Sequence, residues 1–304
     1  MRIFLRKLAF ILTFPFRLIF NLLRGIYRFF ASAGKRLSNF FSEEPEDTPL
    51  PDAFAKTVQN PMGILYHLNA LRIHLFRAIG VLAIMVVLAF TFIEPILAFL
   101  SRPLPGGLDS LTAIDVTEPL GTVMRVALLA GFSLAFPYIA FEIYLFIAPG
   151  ISRRSRITGL IGIPIATLFF AGGMLFAYFV MIPVALPFLL TFMGINTIPR
   201  PSSYISFVTS LMFWIGVAFE FPLIIYVLAS MGLIKARVLK DQWRLAIVII
   251  AVIAAMITPT IDPVSMSLVM GPLILLFFLS IGLAFLAERG RARDAAAKER
   301  STAT

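Results

Sequence analysis

Residues 206–234, SFVTSLMFWIGVAFEFPLIIYVLASMGLI, decide how this chain folds. The stretch exceeds the roughly 20 apolar residues that a helix needs to cross a hydrocarbon core about 30 Å thick. Glu220, near its middle, is its only Asp, Glu, Lys or Arg. A carboxyl at this depth normally faces protein or water and marks function, because inserting it costs on the order of 2.5–3.5 kcal/mol. Pro222 predicts a kink beside the acid. The alternative interpretation is a protonated Glu220 hydrogen-bonded to a neighbouring helix.

Composition indicates a multi-span membrane protein. The 304 residues are 60% hydrophobic and 14% charged, whereas soluble domains are nearer half apolar and about a quarter charged. The absence of cysteine excludes disulfides, thiolate metal sites and Cys nucleophiles. Both histidines, His67 and His74, are expected outside the apolar spans, so we predict no metal and no cofactor. The net charge of +10 suits anionic lipid better than nucleic acid, because the basic residues cluster at span ends.

The chain divides into four predicted regions. Residues 1–41 contain eight Lys and Arg and no acid, which favours a basic amphipathic helix on the membrane surface over a secretory signal. Residues 42–61 are acidic and proline-bearing and predict a linker. Residues 62–288 form the predicted transmembrane domain, and residues 289–304 form a basic tail.

The transmembrane domain is predicted to be all-α with six spans, preceded by a short surface helix at residues 62–75. The spans fall near residues 76–99, 119–147, a run ending at 182, 206–234, 245–257 and 264–287. The fifth apolar run has only thirteen residues, about 20 Å at 1.5 Å per residue, and therefore needs a locally thinned bilayer. We also expect the sixth helix to be short.

The loops predict the orientation. Alternate turns and the tail carry twelve basic residues, whereas the opposite loops carry only Arg102 and Arg200. The positive-inside rule then puts both termini in the cytoplasm. We expect Arg102 to lie against three acids of its own loop, namely Asp109, Asp115 and Glu118.

Several fragments, taken in order, resemble the TatC family, the polytopic subunit of the twin-arginine protein translocase. They are residues 67–72 (HLNALR), 113–116 (AIDV) with Pro119, 146–149 (FIAP), 176–179 (FAYF), 204–207 (YISF), 216–222 (GVAFEFP) and 256–259 (MITP). Each fragment is weak alone, whereas their order over residues 62–288 is specific.

The resemblance implies a concave helical bundle in the cytoplasmic membrane. It also implies a component that moves folded proteins with the proton-motive force and binds their twin-arginine signal peptides. The implied partners are single-span subunits of the TatA/TatB type and membrane lipids, with a homo-oligomer inside a hetero-complex.

The chain departs from the family at both usual signal-binding glutamates, where Ala70 and Ser155 stand. Carboxylates hold guanidinium groups best, through bidentate charge-assisted bonds. Glu142 is a candidate replacement, and an ion pair with a local Arg is its alternative role. The predicted signal-binding set is Asn69, Arg72, Glu142, Phe146 and Ser155.

The resemblance also assigns Glu220 to the family's mid-membrane glutamate. Such a residue can polarise a groove, contact a partner subunit's span, or draw in water and thin the bilayer. We favour the second and third roles together, because a short span also predicts local thinning. Pro103, Asp115 and Asp262 match extracytoplasmic family positions, where capping and turn formation are as well supported as substrate contact.

The sequence leaves two other functions open and disfavours a third. One is a divergent paralogue with weak signal recognition. A second is a proton-coupled secondary transporter, for which Glu220 and kinked helices would suit, although no internal repeat is visible. The third, an intramembrane enzyme, is not expected, because no nucleophile–base pair or metal cluster is apparent.

Overall fold

The computed structural model describes residues 61–148, 153–191, 198–258 and 263–302, and its side chains from residues 67–148, 159–191, 198–258 and 263–293. Every long element in these ranges is helical. The helices are α1 Pro61–Phe90, α2 Ile93–Leu100, α3 Glu118–Ile147, α4 Arg153–Phe176, α5 Ile182–Leu190, α6 Pro201–Phe219, α7 Phe221–Ser230, α8 Ala236–Asp241, α9 Trp243–Ile257 and α10 Pro263–Thr302. The predicted surface segment 1–41, the predicted linker 42–61 except Pro61, and Asp262 lie outside the described residues. Pro61 begins α1 and is not part of a linker.

Two predictions about the first helix are wrong. The expected surface helix and first span form one continuous helix, α1, which breaks at Thr91 and resumes as α2. The break precedes Pro95, which has no N–H to donate to the carbonyl of Thr91. Both histidines lie within the apolar span His67–Phe90, not outside it, because no turn separates the polar start of α1 from its apolar part.

Prolines shape the third span without ending it. Pro164 lies inside α4, and a π-helical turn, Ala177–Met181, joins α4 to α5. A π turn changes the hydrogen-bonding register, which accommodates the missing N–H of Pro183. The apolar stretch therefore runs from Gly159 to Leu190, further than the predicted end near Ile182.

The predicted kink at Glu220 is confirmed. Helix α6 ends at Phe219 and α7 begins at Phe221, with Glu220 between them at φ −72° and ψ −21°. The Glu220 N–H donates to the carbonyl of Val217 at 3.1 Å, a tighter turn than the α-helical pattern. Pro222 begins the second half in the first turn, where its missing N–H costs nothing.

The fifth span is short, as predicted, and the sixth is not. Helix α9 has 15 residues, about 22 Å at 1.5 Å per residue. Helix α10 has 40 residues, so the expectation of a short sixth helix is wrong. The apolar run of α10 is followed by Arg and Ala residues that favour helix and extend it. In the described residues, five helical stretches are long and apolar enough to cross a membrane, and α9 is the shorter sixth.

The helices pack around one main core, in which Val126, Ile182, Ile205, Val208 and Ile215 are fully buried. Helix α6 is central, in contact with α3, α4, α7, α9 and α10, whereas α1 packs mainly on α3. Only 6% of the α1 span is buried, and large apolar side chains are exposed around the whole bundle. Such a surface is stable in lipid and not in water.

The bundle has two chemically different ends. The basic end holds the start of α1, the turns from α3 to α4 and from α7 to α9, and the end of α10. The loop end holds the segment between α2 and α3, the start of α6, and the end of α9.

Candidate functional site

A cluster of polar and aromatic side chains around the buried Glu142 joins α1 to α3 toward the basic end. Glu142 is only 3% exposed, and its Oε2 lies 2.5 Å from Nδ1 of His74. Its Oε1 accepts a hydrogen bond from the Tyr138 hydroxyl. The Phe146 ring lies 4.4 Å from the ring of His67 and 6.2 Å from that of His74. We call these five residues the His74–Glu142 cluster.

This arrangement corrects one sequence interpretation of Glu142. The alternative role was an ion pair with a local Arg, whereas the partner among the described residues is His74. Each carboxylate oxygen keeps a second lone pair, but the side chain is almost fully buried behind its two partners. An incoming guanidinium would therefore have to move His74 or Tyr138 to reach it.

Three members of the cluster were not predicted, although the sequence contains a signal for them. His67 and His74 are seven residues apart on one helix, and Tyr138, Glu142 and Phe146 follow at spacings of four on another. Both spacings place side chains on one helix face.

The other predicted signal-binding residues are less closely connected. Asn69 and Arg72 are exposed on α1, and the Arg72 guanidinium lies 5.6 Å from the centroid of the Phe76 ring. Among the described side chains, neither hydrogen-bonds to Glu142. Ser155 lies in the first turn of α4, and its side chain is outside the described set.

Glu220 lies in the interior where α4 crosses the α6–α7 break. Its Oε1 is buried and, within the described residues, has no hydrogen-bond partner. The helices meet closely here, because a Cβ added to Gly173 would lie 2.8 Å from the Cα of Gly216. Near the crossing, the rings of Phe136 and Phe170 stack with their centroids 4.2 Å apart. A buried acceptor without a donor is destabilising.

At the loop end, Glu118 holds two segments together. Its Oε1 accepts from the Ser202 hydroxyl and pairs with Arg200, both at 2.6 Å. Its Oε2 accepts from the N–H of Ile114 at 3.0 Å. The expectation that Arg102 would face Glu118 is therefore wrong, because the start of α6 brings Arg200 closer.

Asp115 and Pro103 have distinct positions at this end. The carbonyl of Asp115 accepts from the N–H of Glu118 at 3.2 Å, and its Oδ1 accepts from the N–H of Thr117 at 3.4 Å. These bonds form a turn, in agreement with the capping interpretation. Pro103 lines a cavity between α2 and α5.

Arg125 is a polar residue for which no role was predicted. It lies within the Glu118–Ile147 span, is exposed, and hydrogen-bonds to the Ser206 hydroxyl of α6. A cation inside a span is a signal that can be found from the sequence. Among the described residues, no group of three or more His, Asp or Glu side chains is placed to hold a metal ion.

Comparison with known proteins agrees with this architecture. The family model for TatC, the Sec-independent protein translocase protein, matches residues 66–272. A TatC protein of Deinococcus radiodurans is 33% identical over 79% of this chain and 91% of its own length. A TatC protein of Campylobacter jejuni is 34% identical over 71% of this chain and 90% of its own length.

A crystal structure of the twin-arginine translocase receptor TatC is also similar. It superposes with a TM-score of 0.66 at 34% identity, over 73% of this chain and 99% of the crystallised one. None of these similarities favours a carrier or a divergent paralogue, and protein translocation is in general a non-enzymatic role. Its described residues form five long apolar helical stretches, of which the fourth is broken, and a shorter apolar helix, α9. The chain belongs to the TatC family and is a multi-pass membrane component of the Sec-independent, twin-arginine protein translocase.

Proposed function

We propose that this chain is the signal-reading and partner-binding subunit of its translocase, in the cytoplasmic membrane with both termini in the cytoplasm. The excess of Lys and Arg at the basic end supports this orientation. The observation that carries the proposal is the His74–Glu142 cluster, which provides a carboxylate and an aromatic ring at the basic end, where cytoplasmic cargo would arrive. The similar crystal structure is that of a receptor.

Signal binding at this site proceeds by exchange. Glu142 is almost fully buried behind its two partners, so a signal arginine reaches it by taking the place of His74. A guanidinium offers five donors in a planar fork and makes bidentate bonds to a carboxylate, whereas a histidine ring offers a carboxylate a single N–H from any one nitrogen. Asn69, Arg72 and Ser155 border the route of approach in this proposal, and Phe146 packs against the signal.

Glu220 contacts a partner subunit in the same proposal. The buried Oε1, which has no hydrogen-bond partner among the described residues, supports this role, because a polar side chain on a single-span subunit of the TatA/TatB type would satisfy it. Several copies of the chain then assemble with those subunits, and the proton-motive force drives transport.

Site-specific crosslinking tests the receptor role. A photoreactive residue is placed in turn at Ala70, Glu142 and Ser155, and each variant is incubated with a twin-arginine signal peptide. We expect crosslinks at positions 70 and 155, and their loss when Glu142→Gln is added. Glu118→Gln, at the opposite end, is the control. A crosslink that Glu142→Gln leaves undiminished removes Glu142 from the site.

A further inference from the structure

A cavity of about 550 Å³ opens between α2 and α5 at the loop end. This volume is within the range of roughly 300–1,000 Å³ that small-molecule sites occupy. Apolar groups form most of the wall, including the rings of Phe99 and Phe179 and two prolines of α5, Pro183 and Pro187. Arg102 is the one charged side chain that lines it.

The wall that carries Arg102 is firmly held. Leu100, Ser101 and Leu104 are each 3% exposed or less. The carbonyl of Phe99 accepts from the Tyr178 hydroxyl at 2.5 Å, and that of Leu100 accepts from the Tyr204 hydroxyl at 2.8 Å. The rings of Phe99 and Tyr178 stack at 4.4 Å. The cavity is therefore formed in advance of any ligand, which reduces the entropy lost on binding.

Arg102 is held at the rim without a counter-ion. Its guanidinium carbon lies 5.5 Å from the centroid of the Phe99 ring, and the side chain is exposed. Among the described residues it makes no ion pair. Because it follows the end of α2 directly, it lies at the boundary between the apolar helices and the loop end, where the phosphate groups of a bilayer are found.

The chemistry of the wall identifies the class of ligand. An apolar pocket that opens beside lipid-facing residues such as Phe179, which is 62% exposed, accepts a hydrocarbon chain. A single guanidinium at its mouth binds a phosphate through charge-assisted hydrogen bonds. Because Arg102 has no counter-ion among the described residues, it favours a lipid with net negative charge over a zwitterionic one. We propose that this cavity is a binding site for one anionic phospholipid, whose phosphate pairs with Arg102 and whose acyl chain lies against Phe179 and the α5 prolines.

The absence of cysteine from the chain permits a direct test with one introduced label. Thr191→Cys, at the exposed rim of the cavity, is labelled with bimane in full-length chain held in lipid nanodiscs. Quenching is measured with phospholipids brominated on the acyl chain, either phosphatidylglycerol, which is anionic, or phosphatidylcholine, which is zwitterionic. We expect half-maximal quenching at an about fivefold lower mole fraction of the anionic lipid.

Two variants and a control make the test specific. Arg102→Gln should abolish the preference for the anionic lipid, and Leu190→Trp, which fills the cavity, should reduce quenching by both lipids. Arg125→Gln removes an exposed cation of the α3 span that lies outside this cavity and should keep the preference. As a second measurement, native mass spectrometry of the unlabelled chain should show one retained phosphatidylglycerol, lost in Arg102→Gln.

Three results would overturn the proposal. Equal quenching by both lipids in the parent chain would show that no anionic site exists. A preference that persists in Arg102→Gln would move the site elsewhere. Shielding of the label from both lipids only in discs that hold two copies of the chain would make the cavity an interface between copies. None of these measurements uses the export of a twin-arginine reporter, so the receptor role is tested separately.

Discussion

His74 and Glu142 are 68 residues apart in sequence, yet Nδ1 of the histidine lies 2.5 Å from Oε2 of the carboxylate. The bond joins α1, which is exposed over most of its surface, to α3, which belongs to the core. Gly131 of α3 also allows a close approach of the two helices, because a Cβ there would lie 2.5 Å from a Cγ of Val86. The pair is thus a polar contact that holds the first two spans together.

Removing either partner of this pair should destabilise the chain. Truncation of His74 to Ala leaves a buried Glu142 oxygen without a donor, which costs about 1–3 kcal/mol. In a double-mutant cycle of His74→Ala and Glu142→Ala, we expect a coupling energy of about 0.5–3 kcal/mol. The measurement is unfolding in detergent followed by circular dichroism. His67→Ala, which loses only a ring contact, is the control, and additive single effects would contradict the pair.

Replacement of Glu220 should reduce assembly with a partner subunit without reducing the stability of the isolated chain. Because its Oε1 has no donor among the described residues, Glu220→Leu should leave the melting temperature of the isolated chain unchanged or raise it. Co-purification of a TatA/TatB-type subunit should decrease, since the partner's polar group loses its acceptor. Glu118→Leu is the comparison, because that carboxylate is fully bonded and its loss should lower the melting temperature. A strong destabilisation by Glu220→Leu would indicate a structural role instead.

The crossing of α4 and α6 should tolerate no side chain at Gly173. A Cβ there would meet the backbone of Gly216 and the carbonyl of Ile215, both at 2.8 Å, and overpacking costs about 1–3 kcal/mol. Gly173→Ala should therefore lower the melting temperature. The neighbouring Gly172 has open space around its Cβ position, so Gly172→Ala should be neutral or stabilising by up to about 1 kcal/mol. Equal effects of the two variants would disprove the close crossing.

The loop before α3 should loosen when Glu118 is lost. The Ile114 N–H donates to Glu118 Oε2 at 3.0 Å, so Glu118→Ala should remove the hydrogen-exchange protection of that amide. Mass spectrometry of peptides covering residues 111–118 measures this exchange. Asp115→Ala, which removes only an exposed turn bond, should change the Ile114 amide much less. Retained protection in Glu118→Ala would mean that the loop is held by other contacts.

Hydrophobic runs and their lengths determine much of this protein's architecture by themselves. Five long apolar stretches and one run of thirteen residues predict the bundle and its short fifth span. Pro222, two residues after Glu220, predicts the break in the fourth span. These features are local, because a span depends on the summed transfer free energy of consecutive residues and a kink on one missing N–H. The order of short fragments is sufficient to indicate the family.

Which side chains pair with each other within the chain is decided by tertiary structure alone. In the sequence, Arg102 and Arg200 are equivalent cations of the same end, yet only Arg200 reaches Glu118, because α6 begins beside α3. Likewise, nothing local couples His74 to Glu142, and the cavity beside Arg102 exists only where α2 and α5 meet. Ion pairs and cavities depend on distances of a few ångströms between segments far apart in sequence, and the packing of the helices sets those distances.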